Sequence, residues 1–292
     1  MMKWFQEYKK SLKMIEVEEV LDLILYRPLA FLFVKLIYKS NITPNQITIF
    51  ALFAGVLSGV VYSMGTHSAY ITAAMLLIVK EVLDCADGQL ARLKKNGTLT
   101  GRLIDGFSDY AVSIAIYVGI GLGFASNSTN PILYWILTVL AGFSNALHSF
   151  ILDYYRNNFM DNVLGRTTTL GADLNRYRTE YPKLMKKPGK YFDKAMLWLY
   201  IRYSSTQIKF SSSSSEVKRY DPEDYYNKNK LALHLWTYLG PTTEFIFLIM
   251  CSIGNRLDIF LWGMVIVANL VAAILYIYQK RITLHLKPVE VN

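Results

Sequence analysis

The chain has 292 residues, of which 53% are hydrophobic, and a formal net charge of +9. The apolar residues gather in blocks of about 20, the length that crosses a hydrocarbon core about 30 Å thick, which excludes an ordinary soluble domain. The lysines and arginines lie mainly between these blocks, which favours a role in membrane orientation and excludes a basic nucleic-acid-binding domain. The sequence therefore predicts an integral membrane protein in contact with membrane lipids and without a nucleic-acid partner.

The N-terminal segment, residues 1–40, is predicted to be cytoplasmic and to lie along the membrane surface. Residues 16–39 mix charged and apolar side chains, so they are too polar to span a bilayer and are typical of an amphipathic interfacial helix. A spanning helix is expected to begin next, because Thr43 is suited to cap it and Pro44 to occupy its first turn. Gln46 completes a capping box with Thr43.

Six spans are predicted in the remaining domain, residues 41–292. Their approximate ranges are 45–64, 69–92, 101–125, 131–152, 237–254 and 257–279. A polar insertion, residues 153–235, follows the fourth span and is expected to contain a short surface helix over 188–203. Because basic residues gather in the N-terminal segment, the loop after the second span, the insertion and the C-terminal tail, these parts and both termini are predicted to be cytoplasmic. The expected fold is all-α and integral to the membrane: an amphipathic N-terminal interfacial helix, six transmembrane helices, and a cytoplasmic insertion between helices 4 and 5.

A motif of aspartates and small residues begins in the second predicted span and ends in the third. Its fixed residues are Asp84, Asp87, Gly88, Ala91, Arg92, Gly101, Asp105 and Asp109. Spacings of three and four place the carboxylates on one face of each helix, and the short loop brings the two helices together. Such carboxylates repel one another near a bilayer edge, so cations must accompany them, and Mg²⁺ or Mn²⁺ prefers oxygen ligands. Two such ions cancel four charges, and paired ions bind phosphate groups during in-line displacement.

The motif resembles the signature of the CDP-alcohol phosphotransferase family, with all eight fixed positions and the eight-residue spacer present. The resemblance implies a homodimeric membrane enzyme that moves a substituted phosphate from a CDP-linked donor to an alcohol acceptor and releases CMP. It implies that Asp84, Asp87, Asp105 and Asp109 hold two divalent cations, Mg²⁺ or Mn²⁺. It also implies that Asp109 removes the proton from the attacking hydroxyl.

The resemblance further implies which residues contact the CDP donor. These are Asn45, Thr48, Gly88, Ala91, Arg92, Thr98 and Gly101. The long insertion departs from the minimal family core, which leaves open a role in acceptor choice or partner binding.

The identity of the substrates is less constrained by the residues. Six spans favour CDP-diacylglycerol as the donor, whereas enzymes that use CDP-choline or CDP-ethanolamine with diacylglycerol, the alternative, commonly have more spans. A phosphorylated acceptor such as inositol phosphate or glycerol phosphate is slightly favoured, and it needs a basic pocket. The candidates for that pocket, which the cytoplasmic boundary also explains, are Arg102, Arg156, Lys280 and Arg281. An ion or proton transporter that uses the acidic cluster is the alternative of another class.

Overall fold

The computed structural model describes residues 2–12, 15–97, 99–164, 169–186, 188–189, 191–212, 219–286 and 288–289. Nearly all of these residues are helical. The helices are α1 (Met2–Ser11), α2 (Arg27–Ile37), α3 (Pro44–Tyr62), α4 (His67–Lys94), α5 (Leu99–Asn127), α6 (Pro131–Val163), α7 (Thr169–Met185), α8 (Tyr191–Ser212), α9 (Pro222–Trp236), α10 (Pro241–Ile253), α11 (Leu257–Trp262) and α12 (Asn269–Leu284). Two-residue strands β1 (Arg219–Tyr220) and β2 (Pro288–Val289) pair antiparallel and join the insertion to the C-terminal tail.

The start of α3 confirms the predicted capping box. The Thr43 side chain accepts a hydrogen bond from the backbone N–H of Gln46, and the Gln46 side chain accepts one from the backbone N–H of Thr43. Pro44 occupies the first helical position, where its missing N–H leaves no hydrogen bond unmade. Local sequence therefore fixes where the first spanning helix begins.

Within the described residues, four helices are long and apolar enough to cross a membrane. They are Pro44–Tyr62, Ile104–Asn127, Pro131–Val163 and Leu257–Leu284. Their positions agree with those of the first, third, fourth and sixth predicted spans. The last of them joins α11 to α12 through a π-helical turn, Gly263–Ala268.

The second and fifth predicted spans are less simple. The second is α4, a helix of 28 residues whose apolar stretch is interrupted by charged side chains from Lys80 onwards. The fifth is a 3-10 turn, Thr237–Leu239, followed by the 13 residues of α10. At 1.5 Å per residue α10 is about 20 Å long, shorter than a hydrocarbon core of about 30 Å. The count of six spans therefore stays a prediction.

Helix α6 continues past the predicted end of the fourth span at residue 152 and reaches Val163. Hydropathy falls after Leu152, but the polar extension still packs against α9. Phe159 is buried there, and Tyr155 stacks near the fully buried ring of Trp236 on α9. Tertiary packing, which hydropathy does not report, sets this end of the helix.

Small residues bring α3 and α5 into close contact. A Cβ atom on Gly119 would collide with the backbone carbonyl of Gly59, and a Cβ on Gly55 would collide with Val112. Glycine at such positions lets helix backbones approach closely, which is a common way to pack helices in membranes. Because α3 also packs along α4, it contacts both of the helices that carry the motif.

The insertion is mostly helical. The short surface helix predicted over 188–203 corresponds to α8, which continues to Ser212. Helix α7 precedes it, and the two pack through an edge-on contact between Tyr177 and Tyr200. Of the serine run at 211–215, residues 213–215 lie outside the described residues.

The N-terminal segment turns several charged side chains inward. Its predicted helical stretch, residues 16–39, consists of short turns followed by α2, where Ala30, Phe31 and Val34 are buried and Leu32 is exposed. The two faces of α2 match an amphipathic helix, and its position at a membrane interface stays a prediction.

Candidate functional site

Three aspartates of the motif, one on α4 and two on α5, bring their carboxylates together. One carboxylate oxygen from each of Asp84, Asp105 and Asp109 lies within 4.8 Å of the other two. Oδ1 of Asp84 is buried and has no hydrogen-bond partner among the described residues. The Asp109 side chain is half exposed, at 50%. An all-oxygen set with a buried, unsatisfied carboxylate oxygen suits a hard divalent cation.

Asp87, the fourth predicted ligand, is turned towards α3 instead. Its Oδ2 accepts a hydrogen bond of 2.5 Å from the hydroxyl of Thr48, and both residues are buried. The sequence predicts that Thr48 contacts the donor, whereas the structure gives it an aspartate as partner. The roles of Asp87 in metal binding and of Thr48 in donor binding stay predictions.

A buried lysine that the sequence analysis did not single out belongs to the same cluster. Nζ of Lys80 lies 2.8 Å from Oδ1 of Asp109, 3.1 Å from Oε1 of Glu81 and 3.7 Å from Oδ1 of Asp84. The Lys80 side chain is only 4% exposed. A signal was present in the sequence, because Lys80 precedes Asp84 by four residues and so shares its helix face.

Towards the C-terminal end of α4, the side chain of Arg92 folds back over Gly88. A Cβ atom on Gly88 would lie 3.3 Å from Nη1 of Arg92. Nε of Arg92 donates a hydrogen bond to the backbone carbonyl of Ser11, and its Nη2 is buried without a hydrogen-bond partner among the described residues. The space left by the glycine is therefore partly occupied by the guanidinium, which keeps one N–H group available for an anionic ligand.

The remaining predicted donor contacts are only partly located. Asn45, Ala91 and Gly101 are half-buried at the ends of α3, α4 and α5 that carry the motif. Thr98 lies outside the described residues. Their contacts with a CDP donor stay predictions.

Charged residues of the N-terminal segment pair close to this site. Glu18 and Arg27 form a buried ion pair with a distance of 2.6 Å. Glu19 lies 3.4 Å from Arg156 of α6, which also lies 3.9 Å from Asp153. Burial raises the pKa of Glu19 to about 8, although Arg156 acts in the opposite direction. The contact between Glu19 and Arg156 thus joins the N-terminal segment to α6.

The four basic residues predicted to bind the acceptor are not gathered by the described structure. Arg156 is held by Glu19 and Asp153. Lys280 and Arg281 are exposed near the end of α12. The side chain of Arg102 lies outside what the structure describes. A shared basic pocket stays a prediction, and Arg156 is the member with a defined environment.

The insertion reaches the residue that follows Asp109. The Tyr203 ring on α8 makes an edge-on contact with the ring of Tyr110, at a centroid distance of 6.2 Å. The Tyr203 hydroxyl also donates a 3.2 Å hydrogen bond to Oδ2 of Asp153. Helix α8 therefore contacts α5 and α6 through Tyr203.

A second buried polar network joins α6, α10 and α12. Oε1 of Glu244 lies 2.7 Å from Nδ1 of His148, and Oε2 accepts a 2.5 Å hydrogen bond from Asn145. Nε2 of His148 lies 3.2 Å from Oδ1 of Asn269. The sequence analysis gave these residues no role, because their spacing along the chain shows no pattern.

Comparison with known proteins agrees with the motif. Residues 41–174 match the family model described as CDP-alcohol phosphatidyltransferase, which confirms the predicted resemblance over that part of the chain. The inner membrane protein YnbA of Escherichia coli (strain K12) is 28% identical over 112 residues, which make up 38% of this chain and 56% of that protein. The chain thus spans about half the length of this relative. The relative and the four apolar helices support an integral membrane protein.

Proposed function

We propose that the protein transfers a substituted phosphate from a CDP-linked donor to the hydroxyl of an alcohol and releases CMP, a proposal supported by the match of residues 41–174 to the CDP-alcohol phosphatidyltransferase family model. The observation that carries this proposal is the convergence of Asp84, Asp105 and Asp109 within 4.8 Å, all three in the family's motif. The full proposal includes CDP-diacylglycerol as the donor and a homodimer with its site at the cytoplasmic face.

The acidic cluster suits Mg²⁺ or Mn²⁺. Asp84, Asp105 and Asp109 would hold the ions, with Asp87 as the fourth ligand. Oδ1 of Asp84 supports this assignment, because it is buried without a hydrogen bond among the described residues and its nearest cation, Nζ of Lys80, is 3.7 Å away. When bound, the ions would neutralise the donor's pyrophosphate and stabilise the charge that develops on the transferred phosphate.

Asp109 is the residue that takes the proton. The acceptor oxygen forms a bond to the β-phosphorus of the donor, the bond from that phosphorus to the oxygen of CMP breaks, and the hydroxyl proton passes to the Asp109 carboxylate. The half-exposed position of this carboxylate leaves room for an acceptor beside it. A carboxylate is a weak base, so its contribution comes mainly from being held next to the nucleophile.

A phosphorylated polyol, such as inositol phosphate or glycerol phosphate, is the acceptor that we propose. Arg156 supports this choice, since its Nε is buried without a hydrogen-bond partner among the described residues. An oxygen of the acceptor's phosphate group would accept a hydrogen bond from this N–H group. It would also compete with Glu19 and Asp153 for the guanidinium.

The test is CMP release by the purified protein in liposomes with Mg²⁺ and CDP-diacylglycerol. Inositol phosphate, glycerol phosphate, serine and inositol are supplied in separate reactions. Asp109→Asn should lower the rate at least about 100-fold, while Asp258→Asn, which removes an exposed carboxylate paired with Arg256, should not change it.

The same assay separates the alternatives. Release only with CDP-choline or CDP-ethanolamine plus diacylglycerol would replace the proposed donor. Absence of CMP release with every donor, together with ion uptake that depends on Asp84 and Asp109, would establish a transporter instead.

A further inference from the structure

The ammonium group of Lys80 is built into the acidic cluster. It lies in the interior of α4, with its side chain 4% exposed, and contacts carboxylates on two helices. The ring of Phe245 on α10 lies 5.9 Å from Nζ and shields it from the other side. Burying a lysine in a membrane-spanning bundle is costly, so such a residue needs carboxylate partners and is a candidate for a functional role.

The shortest contact of Lys80 is with Asp109, at 2.8 Å from Oδ1. A charge-assisted hydrogen bond to one carboxylate oxygen fixes the plane of that carboxylate and leaves its second oxygen for other ligands. Asp109 would otherwise be free to rotate, because half of its side chain is exposed. Lys80 therefore limits the rotation of the half-exposed Asp109 carboxylate.

Lys80 also changes the charge of the cluster. Its neighbour Glu81 is 3.1 Å away and buried, so the two together add no net charge to the four motif aspartates. Loss of Lys80 alone would leave one further uncompensated negative charge close to the cations. Loss of both Lys80 and Glu81 would leave the net charge as it is.

We propose that Lys80 is a positioning residue of this site, which holds the Asp109 carboxylate in place and lowers the affinity of the cluster for divalent cations. This inference rests on the proposed function. It assigns two separable effects to one side chain, the orientation of Asp109 and the charge around the cations.

The first measurement is Mn²⁺ binding to the purified full-length protein without substrate, followed by electron paramagnetic resonance. Lys80→Met keeps most of the length of the side chain but removes its charge, and it should tighten Mn²⁺ binding at least about fivefold through the stronger negative potential. The double variant Lys80→Met/Glu81→Gln keeps the net charge and should bind Mn²⁺ within about twofold of wild type. Lys228→Met, which removes an exposed lysine paired with Asp224, is the matched control and should leave Mn²⁺ binding unchanged.

The second measurement is the rate of CMP release by the same variants at saturating Mn²⁺. Both variants that lack Lys80 should lose about 100-fold in kcat, because neither restores the contact with Asp109. Restored Mn²⁺ affinity without restored kcat in the double variant is the signature of a positioning residue. A purely structural lysine would not produce this separation.

The outcomes distinguish this inference from the proposed function. If wild type binds no Mn²⁺, the metal site of the proposed function fails. If wild type binds Mn²⁺ and Lys80→Met binds it equally well, the role of Lys80 is overturned while the proposed function stands. If Lys80→Met fails to fold, two other variants test the inference. Glu81→Gln alone must weaken Mn²⁺ binding severalfold, and Lys80→Arg, which keeps the positive charge, must bind Mn²⁺ as wild type does. Unchanged Mn²⁺ binding in Glu81→Gln overturns the inference.

Discussion

The hydroxyl of Thr48 and Oδ2 of Asp87 form a buried hydrogen bond of 2.5 Å that joins α3 to α4 across 39 positions of sequence. Asp87 is 6% exposed, so its carboxylate depends on such donors in place of water. The capped start of α3 and the aspartate motif are therefore one structural unit. This contact gives a physical reason for the threonine that follows the Pro44-Asn45 start of the helix.

Thr48→Val should impair the site by removing this donor while keeping the shape of the side chain. We expect CMP release to fall roughly tenfold and the free energy of unfolding to fall by about 1–3 kcal/mol, the cost of a buried unsatisfied group. Enzyme rates and melting temperature in detergent measure the two effects. Thr48→Ser should keep most of the activity. Thr72→Val is the control, because Thr72 is exposed and its hydroxyl bonds only to the backbone of its own helix; an equal loss in that variant would refute the role of Thr48.

The features that the sequence predicts well are local ones. The capping box of Thr43 and Gln46 depends on residues three apart, and the shared helix face of Asp105 and Asp109 follows from their spacing of four. Both are properties of a short stretch of chain.

The features that the sequence does not predict depend on distant contacts. Lys80 and Asp109 are 29 positions apart, and Glu19 and Arg156 are 137 positions apart. A charged residue in an apolar helix is recognisable, but its partner is known only once the helices are packed. The same holds for the extension of α6 to Val163, which depends on contacts with α9.

Gly119→Ala should destabilise the bundle, because its new Cβ would collide with the carbonyl of Gly59. Backbone cannot move aside as a flexible side chain can, so α3 and α5 would have to separate. We expect a loss of about 1–3 kcal/mol in the free energy of unfolding, as for other overpacked sites. The measurement is the melting temperature in detergent.

Gly106→Ala is the matched control on the same helix. Within the part of the chain that the structure describes, a Cβ at Gly106 meets no atom within 4 Å, and alanine favours the helix by about 1 kcal/mol relative to glycine. This variant should be as stable as wild type or more so. Equal destabilisation of both variants would show that glycine is needed for helix flexibility and not for close packing.

Glu244→Ala should disrupt the polar network between α6 and α10. The substitution leaves the buried Asn145 amide and Nδ1 of His148 without their carboxylate partner. Leaving a buried polar group without its hydrogen-bond partner costs about 1–3 kcal/mol, and two such groups are left here. Glu244→Gln keeps an acceptor for Asn145 and should recover part of the stability. Tryptophan fluorescence during heating measures the melting temperature of each variant. Glu180→Gln, at an exposed residue paired with Arg176, is the control. If Glu244→Ala lowers the melting temperature no more than this control does, a structural role for the network is ruled out.

The burial of Glu19 predicts a pH dependence of stability. Burial raises its pKa from the ordinary value of 4.5 to about 8, so between these values the folded protein keeps a proton that the unfolded chain releases. The stability that this proton contributes is fully present below pH 4.5 and is lost as pH rises through 8. Glu19→Gln removes the titrating group and should flatten the fall of melting temperature between pH 6 and pH 9, which we would measure in about half-unit steps. Glu223→Gln, at an exposed position on α9, should keep the wild-type slope. A wild-type slope in Glu19→Gln would mean that Arg156 holds the Glu19 carboxylate ionised throughout, and that the ion pair outweighs the cost of burial.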